Sequence, residues 1–230
     1  MIVAIDGPAA SGKSTTAKLI AQEFGLLYLD TGAMYRAVAL FVKNNGIDLE
    51  NLHSLEAILE KIDIKFRKVE AETFDSEGFK STLSIFLNDI DVTEDIRTPE
   101  VTRMSSNVAT IKIVRQKMVE QQRKLASNHD VILDGRDIGT VVFPDADFKF
   151  FLTASLEVRA LRRFKEMTQK GLTLNIEEIK NDLIWRDKND SCRSEAPLKK
   201  AEDAIEINTS EMSIEEQVRI IIDIIREKIA

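Results

Sequence analysis

The first fifteen residues read MIVAIDGPAASGKST (Met1–Thr15) and combine an apolar run, a glycine-rich turn and the start of an amphipathic segment. Ile2–Ile5 suits a buried parallel strand, and Gly7-x-x-x-x-Gly12-Lys13-Ser14 is the pattern of a phosphate-binding loop. In such a loop, backbone N–H groups and a helix N-terminus face phosphates, the lysine reaches the outer phosphates and the hydroxyl can hold Mg²⁺. Because a helical pattern follows over 15–24, a chance Gly/Ser match explains the stretch poorly. The sequence therefore predicts a site for a nucleoside triphosphate.

The composition describes a globular protein with one sizeable core. Of 230 residues, 43% are hydrophobic and 31% are charged, which excludes a disordered chain. The net charge of −7 argues against a nucleic-acid or membrane-surface binder, so anionic ligands must be held by a local basic cluster. The lone cysteine, Cys192, excludes an internal disulfide and a multi-cysteine zinc site. We expect no secretory signal, no membrane span and a cytoplasmic location.

Apolar runs alternate with helical patterns, which predicts an α/β fold with a parallel sheet. The last helix, Ile214–Ile229, carries apolar residues on one face and should pack on that sheet. The predicted core strands are Ile2–Ile5, Leu26–Leu29, Val131–Leu133, Lys149–Leu152 and Ala204–Ile207.

Two stretches depart from this alternation. Residues 64–92 favour a small antiparallel insert, with turn signals at 75–78 and 88–89. Residues 155–193 are strongly charged and broken at 170–171, which predicts two helices that pack on little and move as a lid. We expect one domain over 1–230, with a core (1–45, 99–154, 194–230), an insert at about 63–93 and a lid at about 155–193.

Polar residues crowd the end of the second predicted strand, where Leu29–Arg36 reads LDTGAMYR. Ligands of open α/β sheets bind at the carboxyl ends of strands, and this favours ligand contact for Arg36. Asp30 is equally well explained as the cap of a helix that starts near Ala33.

An arginine interrupts the apolar face of a helix predicted over Pro99–Leu125. Arg115 falls where another apolar residue is expected, and a buried arginine needs an anionic or carbonyl partner. It could instead extend along the surface to water. We favour ligand contact, with Ser106 sharing the same cleft.

The third core strand runs into Asp134-Gly135-Arg136-Asp137. An acid directly after a strand is the Walker B arrangement, which helps to hold Mg²⁺, often through water. The lid adds Arg159, Arg162 and Arg163, which are either balanced by Glu157 and Glu166 on a solvated helix or brought to a transferring phosphoryl group. The sequence thus favours phosphoryl transfer.

Together, these motifs resemble the bacterial-type cytidylate kinases. The resemblance runs end to end and rests most on the block DGRDIGTVVFP (134–144) and the β-rich insert, besides the loop, LDTGAMYR, IRTPEV (96–101) and Arg186-Asp187. It implies a P-loop NTPase three-layer fold with a five-stranded parallel sheet, an antiparallel insert in the monophosphate-binding region and a helical lid. It also implies that the enzyme transfers a phosphoryl group from ATP to CMP or dCMP with Mg²⁺, giving ADP and the diphosphate. Separately from the resemblance, we expect a monomer, because no predicted helix has an unexplained second apolar face.

The resemblance implies roles for individual residues. Arg36, Arg136 and Arg193 would hold the monophosphate, Arg186 and Asp190 would meet the ribose, and Ser106, Arg115 and Asp137 would read the cytosine. Thr31 retains the hydroxyl of a serine that is also common in this motif. The catalytic set would be Lys13, Arg136, Arg159, Arg163 and Arg193, and the metal would be held by Ser14 and, through water, Asp134. The ATP phosphates would be held by Gly7, Pro8, Ala9, Ala10, Ser11, Gly12, Lys13, Ser14 and Thr15.

Two alternatives are open on the sequence alone. A P-loop kinase could act on UMP, AMP or shikimate instead. A nucleotide-dependent switch module would hydrolyse ATP without any acceptor. A carboxylate beside an arginine fits the exocyclic amine and carbonyl of cytosine, and this favours cytosine over uracil.

Overall fold

The structure, a computed structural model, describes residues 1–70, 81–169, 171–172 and 175–229. The chain divides into two compact units, Met1–Leu29 with Arg123–Ala230 and Asp30–Gln122. The expected division into core, insert and lid stays a prediction. In chain order the strands are β1 (Ile2–Asp6), β2 (Leu27–Asp30), β3 (Ile64–Glu70), β4 (Ser81–Leu87), β5 (Ile90–Asp91), β6 (Val131–Gly135), β7 (Phe148–Thr153) and β8 (Ile205–Asn208). The α-helices are α1 (Lys13–Phe24), α2 (Thr31–Asn44), α3 (Leu52–Leu59), α4 (Pro99–Val108), α5 (Lys112–Ala126), α6 (Leu156–Gln169), α7 (Ile176–Cys192) and α8 (Ile214–Ile229).

The first unit is built on a five-stranded sheet of order β2-β6-β1-β7-β8. β1 pairs in parallel with β6 and β7, and β7 pairs in parallel with β8. All five predicted core strands are present, and the predicted α/β fold is confirmed. The central strand β1 is buried from Val3 to Asp6, and α1 and α8 pack on the sheet in one apolar cluster with Val3 and Ile5.

The core of this unit joins the sheet to its helices. Val3 and Ile5 of β1 are fully buried with Ile20 of α1. Ile221 and Ile225 of α8 belong to the same cluster, so the predicted packing of the last helix is confirmed.

The second unit contains the predicted small antiparallel sheet, of order β3-β4-β5. Asn88 and Asp89 form the two-residue turn between β4 and β5, with φ angles of 51° and 64°. Both angles are positive, as a type I′ hairpin requires, and Asn and Asp tolerate this conformation. The turn predicted at 75–78 lies outside the described residues.

The single helix predicted over Pro99–Leu125 is wrong, because the structure has α4 and α5 with a break at 109–111. Two side chains satisfy carbonyl groups at this break. The Thr110 hydroxyl donates to the Asn107 carbonyl at 2.8 Å, and Nη1 of Arg115 donates to the Ala109 carbonyl at 3.1 Å. These bonds replace the helical hydrogen bonds that end there. The apolar periodicity continues across the break and conceals it.

The two helices predicted in the lid segment are α6 and α7, and Gly171 lies between them with a φ of +75°. The expectation that they pack on little is wrong. Ala160 of α6 and Ile179 and Leu183 of α7 are buried in one cluster with Ala9. Within the described part of the chain, no helix has the length and apolar character needed to cross a bilayer.

Candidate active site

The glycine-rich loop follows β1 and adopts backbone angles that exclude larger residues at two positions. Gly7 has a φ of +147°, and a Cβ there would lie 2.1 Å from the Leu152 carbonyl oxygen. Gly12, the residue before α1, has a φ of +94° and lies against the Gln217 side chain. Both positions therefore need glycine, as the motif predicts.

Lys13 lies inside this loop. Its Nζ donates to the Pro8 carbonyl at 2.6 Å and lies 3.5 Å from the Ser11 hydroxyl. Burial, together with the nearby charge of Arg136, lowers the pKa of Lys13 to about 7. A phosphate at this point would favour the charged ammonium, because an adjacent anion raises a lysine pKa.

Ser14 and Asp134 meet as the Walker pattern predicts. The Ser14 hydroxyl donates to Oδ2 of Asp134 at 2.6 Å, and the Tyr28 hydroxyl donates to Oδ1 at 2.9 Å. Hydroxyl and carboxylate oxygens are the hard donors that Mg²⁺ prefers, and Mg²⁺ commonly takes only one or two protein ligands besides substrate phosphates and water. The pair therefore fits this metal. Among the described residues there is no cluster of three or more acidic, histidine or cysteine side chains that could hold a metal by themselves.

Arg136 and Asp190 form a close ion pair. Nε of Arg136 donates to Oδ2 of Asp190 at 2.6 Å. Burial alone would raise the pKa of Asp190, but the charge of Arg136 and its hydrogen bond outweigh burial and lower it. Arg186 is half-buried on the same helix α7, and burial with the charge of Arg136 lowers its pKa to about 10. Nε of Arg186 is buried with no hydrogen-bond partner in the described part of the chain, which marks it as a group able to meet a ligand.

Asp137 and Arg193 form a second, looser pair. Nη2 of Arg193 lies 3.6 Å from Oδ1 of Asp137, and both side chains are buried. Nε of Arg193 also donates to the Ala196 carbonyl at 2.6 Å. The two pairs bring together four residues to which the resemblance assigns the monophosphate nucleotide.

Arg159 is buried in contacts that span three segments. Nε donates to the Ala154 carbonyl at 3.0 Å, Nη1 donates to the Ala9 carbonyl in the loop at 3.3 Å, and Nη2 lies 2.8 Å from Oδ2 of Asp187 on α7. The solvated-helix explanation is therefore wrong for Arg159. Sequence analysis named Asp187 only within the Arg186-Asp187 motif and gave it no role, because its pairing with Arg159 depends on a contact between two helices.

The other two arginines of α6 differ from Arg159. Nη1 and Nη2 of Arg162 donate to the hydroxyl and carbonyl of Thr209, at 2.9 and 2.6 Å. Arg163 pairs with Glu166 on the same helix at 2.7 Å, as the solvated-helix explanation expected. Thr209 is fully buried and lies 3.1 Å from the Ser11 carbonyl, a contact that sequence analysis missed.

In the second unit, Asp30 caps α2. Its Oδ1 accepts from the Ala33 N–H at 2.8 Å, and its Oδ2 pairs with Arg36 at 2.9 Å. The cap explanation for Asp30 is therefore confirmed, and α2 begins at Thr31 rather than near Ala33. Nε of Arg36 is buried without a hydrogen-bond partner in the described part of the chain.

Arg115 and Ser106 are also buried in the second unit. Arg115 is 5% exposed, so it does not extend to water as one alternative required. Its guanidinium lies 5.5 Å from the centre of the Tyr35 ring, within the range of a cation–π interaction. The buried arginine is therefore partly explained by a carbonyl at the helix break and an aromatic ring.

Asp6, the last residue of β1, is a buried carboxylate that sequence analysis missed. Its two oxygens accept from the N–H groups of Ile138 and Gly139, both at 2.8 Å. Burial raises the pKa of Asp6 to about 6, against the lowering effect of these two hydrogen bonds. The signal was available, because Asp6 follows an apolar strand just as Asp134 does.

Comparisons with a family model and with curated proteins give one consistent family. A family model described as cytidylate kinase matches residues 3–227. The cytidylate kinase of Bacillus cytotoxicus is 48% identical over 98% of this chain and 96% of its own length. That of Lactobacillus johnsonii is 45% identical over 99% of this chain and 95% of its own length. The chain belongs to the cytidylate kinase family.

As a member of this family, the chain is a nucleoside monophosphate kinase. Structural similarity adds evidence on the fold alone. An uncharacterized protein from Eubacterium ventriosum matches over 98% of both chains, with a TM-score of 0.50 and 13% sequence identity. The activity is therefore argued from the family and from the site.

Proposed function

We propose that this chain transfers the terminal phosphoryl group of ATP to CMP and dCMP with the help of Mg²⁺, giving CDP and dCDP. The observation that carries the proposal is the contact between Ser14 and Asp134, at 2.6 Å, beside a buried Lys13. A P-loop serine, a Walker B acid and a P-loop lysine are the parts that phosphoryl transfer from a triphosphate needs. Family membership supports the identity of the acceptor.

Residues Gly7 to Thr15 bind the donor. Backbone N–H groups of the loop and of the first turn of α1 face the phosphates, where the helix dipole favours negative charge. Lys13 exchanges its contact with the Pro8 carbonyl for the outer phosphates. Its charge then offsets the charge that develops during transfer.

Ser14 and Asp134 are the residues that would hold the metal, Asp134 through water. When bound, Mg²⁺ would neutralise negative charge on the phosphates of ATP. Tyr28 orients the Asp134 carboxylate through the hydrogen bond to Oδ1, as residues around a metal ligand commonly do.

Arginines bind the phosphate of the acceptor. We assign Arg36, Arg136 and Arg193 to this phosphate. A guanidinium offers planar paired donors that match phosphate oxygens. The acceptor oxygen is already ionised, so the reaction needs positioning and charge stabilisation rather than a general base.

The base and the sugar are recognised by side chains that carry both donors and acceptors. Asp137 accepts from the exocyclic amine of cytosine, and Arg115 and Ser106 donate to its acceptor atoms. Uracil presents a carbonyl in place of that amine, so an acceptor would face the Asp137 carboxylate where cytosine offers a donor. Arg186 and Asp190 meet the ribose, and Thr31 supplies the hydroxyl of the LDTGAMYR motif.

Arg159 and Arg163 act on the transferring group. Arg159 reaches the loop carbonyl of Ala9, so its head lies at the loop that we assign to ATP. Placing guanidinium groups around a phosphoryl group in transfer stabilises its spread charge.

Steady-state kinetics with ATP and CMP, dCMP, UMP or AMP tests this function. We expect CMP and dCMP to give a kcat/KM that is higher by at least about 100-fold than UMP or AMP, because a missing hydrogen-bond partner at a buried polar site is strongly rejected. Equal turnover of UMP or AMP would refute the cytosine assignment. ATP hydrolysis that is just as fast without an acceptor would support a switch module instead. The monomeric state and cytoplasmic location remain predictions.

A further inference from the structure

The Asp6 carboxylate links two functional segments of the first unit. It ends β1 directly before the glycine-rich loop, and it is 5% exposed. Its oxygens accept from the N–H groups of Ile138 and Gly139, at 2.8 Å each. Those two residues begin a single helical turn, Ile138–Val142, that comes directly after Asp137.

The turn is fixed at its two ends by different side chains. At its C-terminal end, Arg123 donates to the carbonyls of Val141 and Val142, at 3.0 and 2.9 Å. At its N-terminal end, the hydrogen bonds found for the N–H groups of Ile138 and Gly139 go to Asp6. A carboxylate at this end also meets the positive pole of the turn.

Close packing limits how this end of the turn can shift. A Cβ on Gly139 would lie 3.5 Å from Oδ2 of Asp6 and 3.2 Å from the Lys149 side chain. A side chain at position 139 would therefore make ordinary contact with the Asp6 carboxylate and would crowd the Lys149 side chain by a few tenths of an ångström.

Side chains other than Asp6 hold the carbonyl groups of the glycine-rich loop. Lys13 holds the Pro8 carbonyl at 2.6 Å, and Thr209 holds the Ser11 carbonyl at 3.1 Å. Arg159 also donates to the Ala9 carbonyl. Because the loop has these other contacts, substitution of Asp6 should mainly displace the segment that carries Arg136 and Asp137.

We infer that Asp6 is a positioning residue for the acceptor: by holding the turn at 138–142, it places Asp137 and Arg136 to bind the monophosphate. The inference rests on the proposed function, in which Asp137 reads the base and Arg136 holds the phosphate. Asp6, the last residue of β1, would thus determine the affinity for the monophosphate, although we assign Asp6 no contact with either nucleotide.

The substitution Asp6→Asn tests the inference in the full chain, with Asp147→Asn as the matched control. Oδ2 of Asp147 accepts from the Ile2 N–H at 2.7 Å, so the control removes the same charge and the same kind of bond at the other end of β1. The side-chain amide in the Asp6→Asn variant would keep one acceptor and turn an N–H₂ group toward the second N–H. Calorimetry would give the Kd of ATP and of CMP for wild type and both variants, and kinetics would give KM and kcat.

We expect Asp6→Asn to raise the Kd and KM for CMP about 10- to 100-fold, the range of hydrogen bonds to a charged group. The Kd for ATP should change by no more than about twofold. Asp147→Asn should change neither the Kd for ATP nor the Kd for CMP by more than about twofold. A loss of ATP affinity as large as the loss of CMP affinity would overturn the inference, because Asp6 would then support the fold or the loop as a whole. Unchanged CMP affinity would overturn it as well.

Amide hydrogen exchange of the wild-type protein decides the point even if Asp6→Asn does not fold. The N–H groups of Ile138 and Gly139 should be strongly protected, and Asp6→Asn, where it folds, should accelerate their exchange. Rapid exchange of both amides in the wild type would overturn the inference. If the wild type neither bound nor phosphorylated CMP, the proposed function would fail, and the inference with it. If the wild type phosphorylated CMP but Asp6→Asn lost equal affinity for ATP and CMP, the inference would fail while the proposed function would stand.

Discussion

Nη2 of Arg159 lies 2.8 Å from Oδ2 of Asp187, and this ion pair joins α6 to α7 beside the glycine-rich loop. The Arg159 side chain is 8% exposed, whereas Arg163, one turn further along α6, is 23% exposed and pairs within its own helix. Two arginines that the resemblance treats alike are thus held in different ways. Arg159 is part of the packed structure as well as a candidate for catalysis.

We therefore predict that Arg159→Ala lowers both stability and turnover, whereas Arg163→Ala lowers turnover alone. Loss of Arg159 removes the ion-pair partner of Asp187, which is 27% exposed, and should reduce the free energy of unfolding by about 1 to 3 kcal/mol. Loss of the Arg163–Glu166 pair should cost less than about 0.5 kcal/mol. Urea unfolding measures the first effect, and kcat with ATP and CMP measures the second.

If both arginines act on the transferring group, each substitution should reduce kcat by about 100-fold or more. Glu166→Gln, which removes the partner of Arg163 without removing the arginine, serves as the control and should leave kcat near that of the wild type. Arg163→Ala with normal turnover would exclude Arg163 from catalysis.

The sheet and its order of elements could be predicted because they depend on local signals. The five core strands are apolar runs, and the alternation with helices leads to a parallel sheet. The break between α4 and α5 could not be predicted in this way. Neither proline nor glycine marks it, and it is formed by hydrogen bonds from Thr110 and Arg115 to helix-end carbonyls.

The site could be predicted where a motif defines the residues, and less well where tertiary contacts do. Ser14 and Asp134 were paired by the Walker pattern although 120 positions separate them. The roles of Asp6 and Asp187 were missed, because they depend on backbone groups and side chains that come close only in the fold.

Lys13→Ala should abolish most phosphoryl transfer. Lys13 is the buried cation of the glycine-rich loop, and its charge offsets the negative charge that grows on the transferred group. We expect kcat to fall by about 1,000-fold. Lys124→Ala, at an exposed position of α5, is the control and should behave as the wild type. Near-normal turnover of Lys13→Ala would remove Lys13 from the mechanism.

Asp137→Ala should weaken the binding of CMP while it largely spares that of ATP. The substitution removes the acceptor for the cytosine amine and leaves Arg193, 3.6 Å away, without this carboxylate. We expect the Kd for CMP to rise about 10- to 100-fold, as measured by calorimetry. Asp145→Ala, an exposed position after the same turn, is the control. Equal losses for CMP and ATP would place Asp137 outside the base pocket.

Asp6 should make the stability of the folded protein depend on pH. Burial raises its pKa from 3.8 to about 6, against the hydrogen bonds from Gly139 and Ile138, while the nearby charge of Asp137 raises it and that of Lys13 lowers it. The folded state therefore holds the proton more tightly than the unfolded chain does. The contribution of Asp6 to the free energy of unfolding is therefore fully present below about pH 4 and is lost as the pH rises through about 6.

Comparison of wild type with Asp6→Asn measures this effect together with the coupling of Asp6 to Lys13, because the other titrating groups are present in both proteins. A shift of about two pKa units corresponds to ~3 kcal/mol. The unfolding free energy of the wild type, relative to that of Asp6→Asn, should fall by this amount between pH 4 and pH 7 in urea titrations. A flat difference, or one that grows with pH, would contradict the raised pKa. If this relative unfolding free energy falls, the ionised Asp6 destabilises the fold at neutral pH. Such a cost is expected of a residue whose role is to position Asp137 rather than to stabilise the fold.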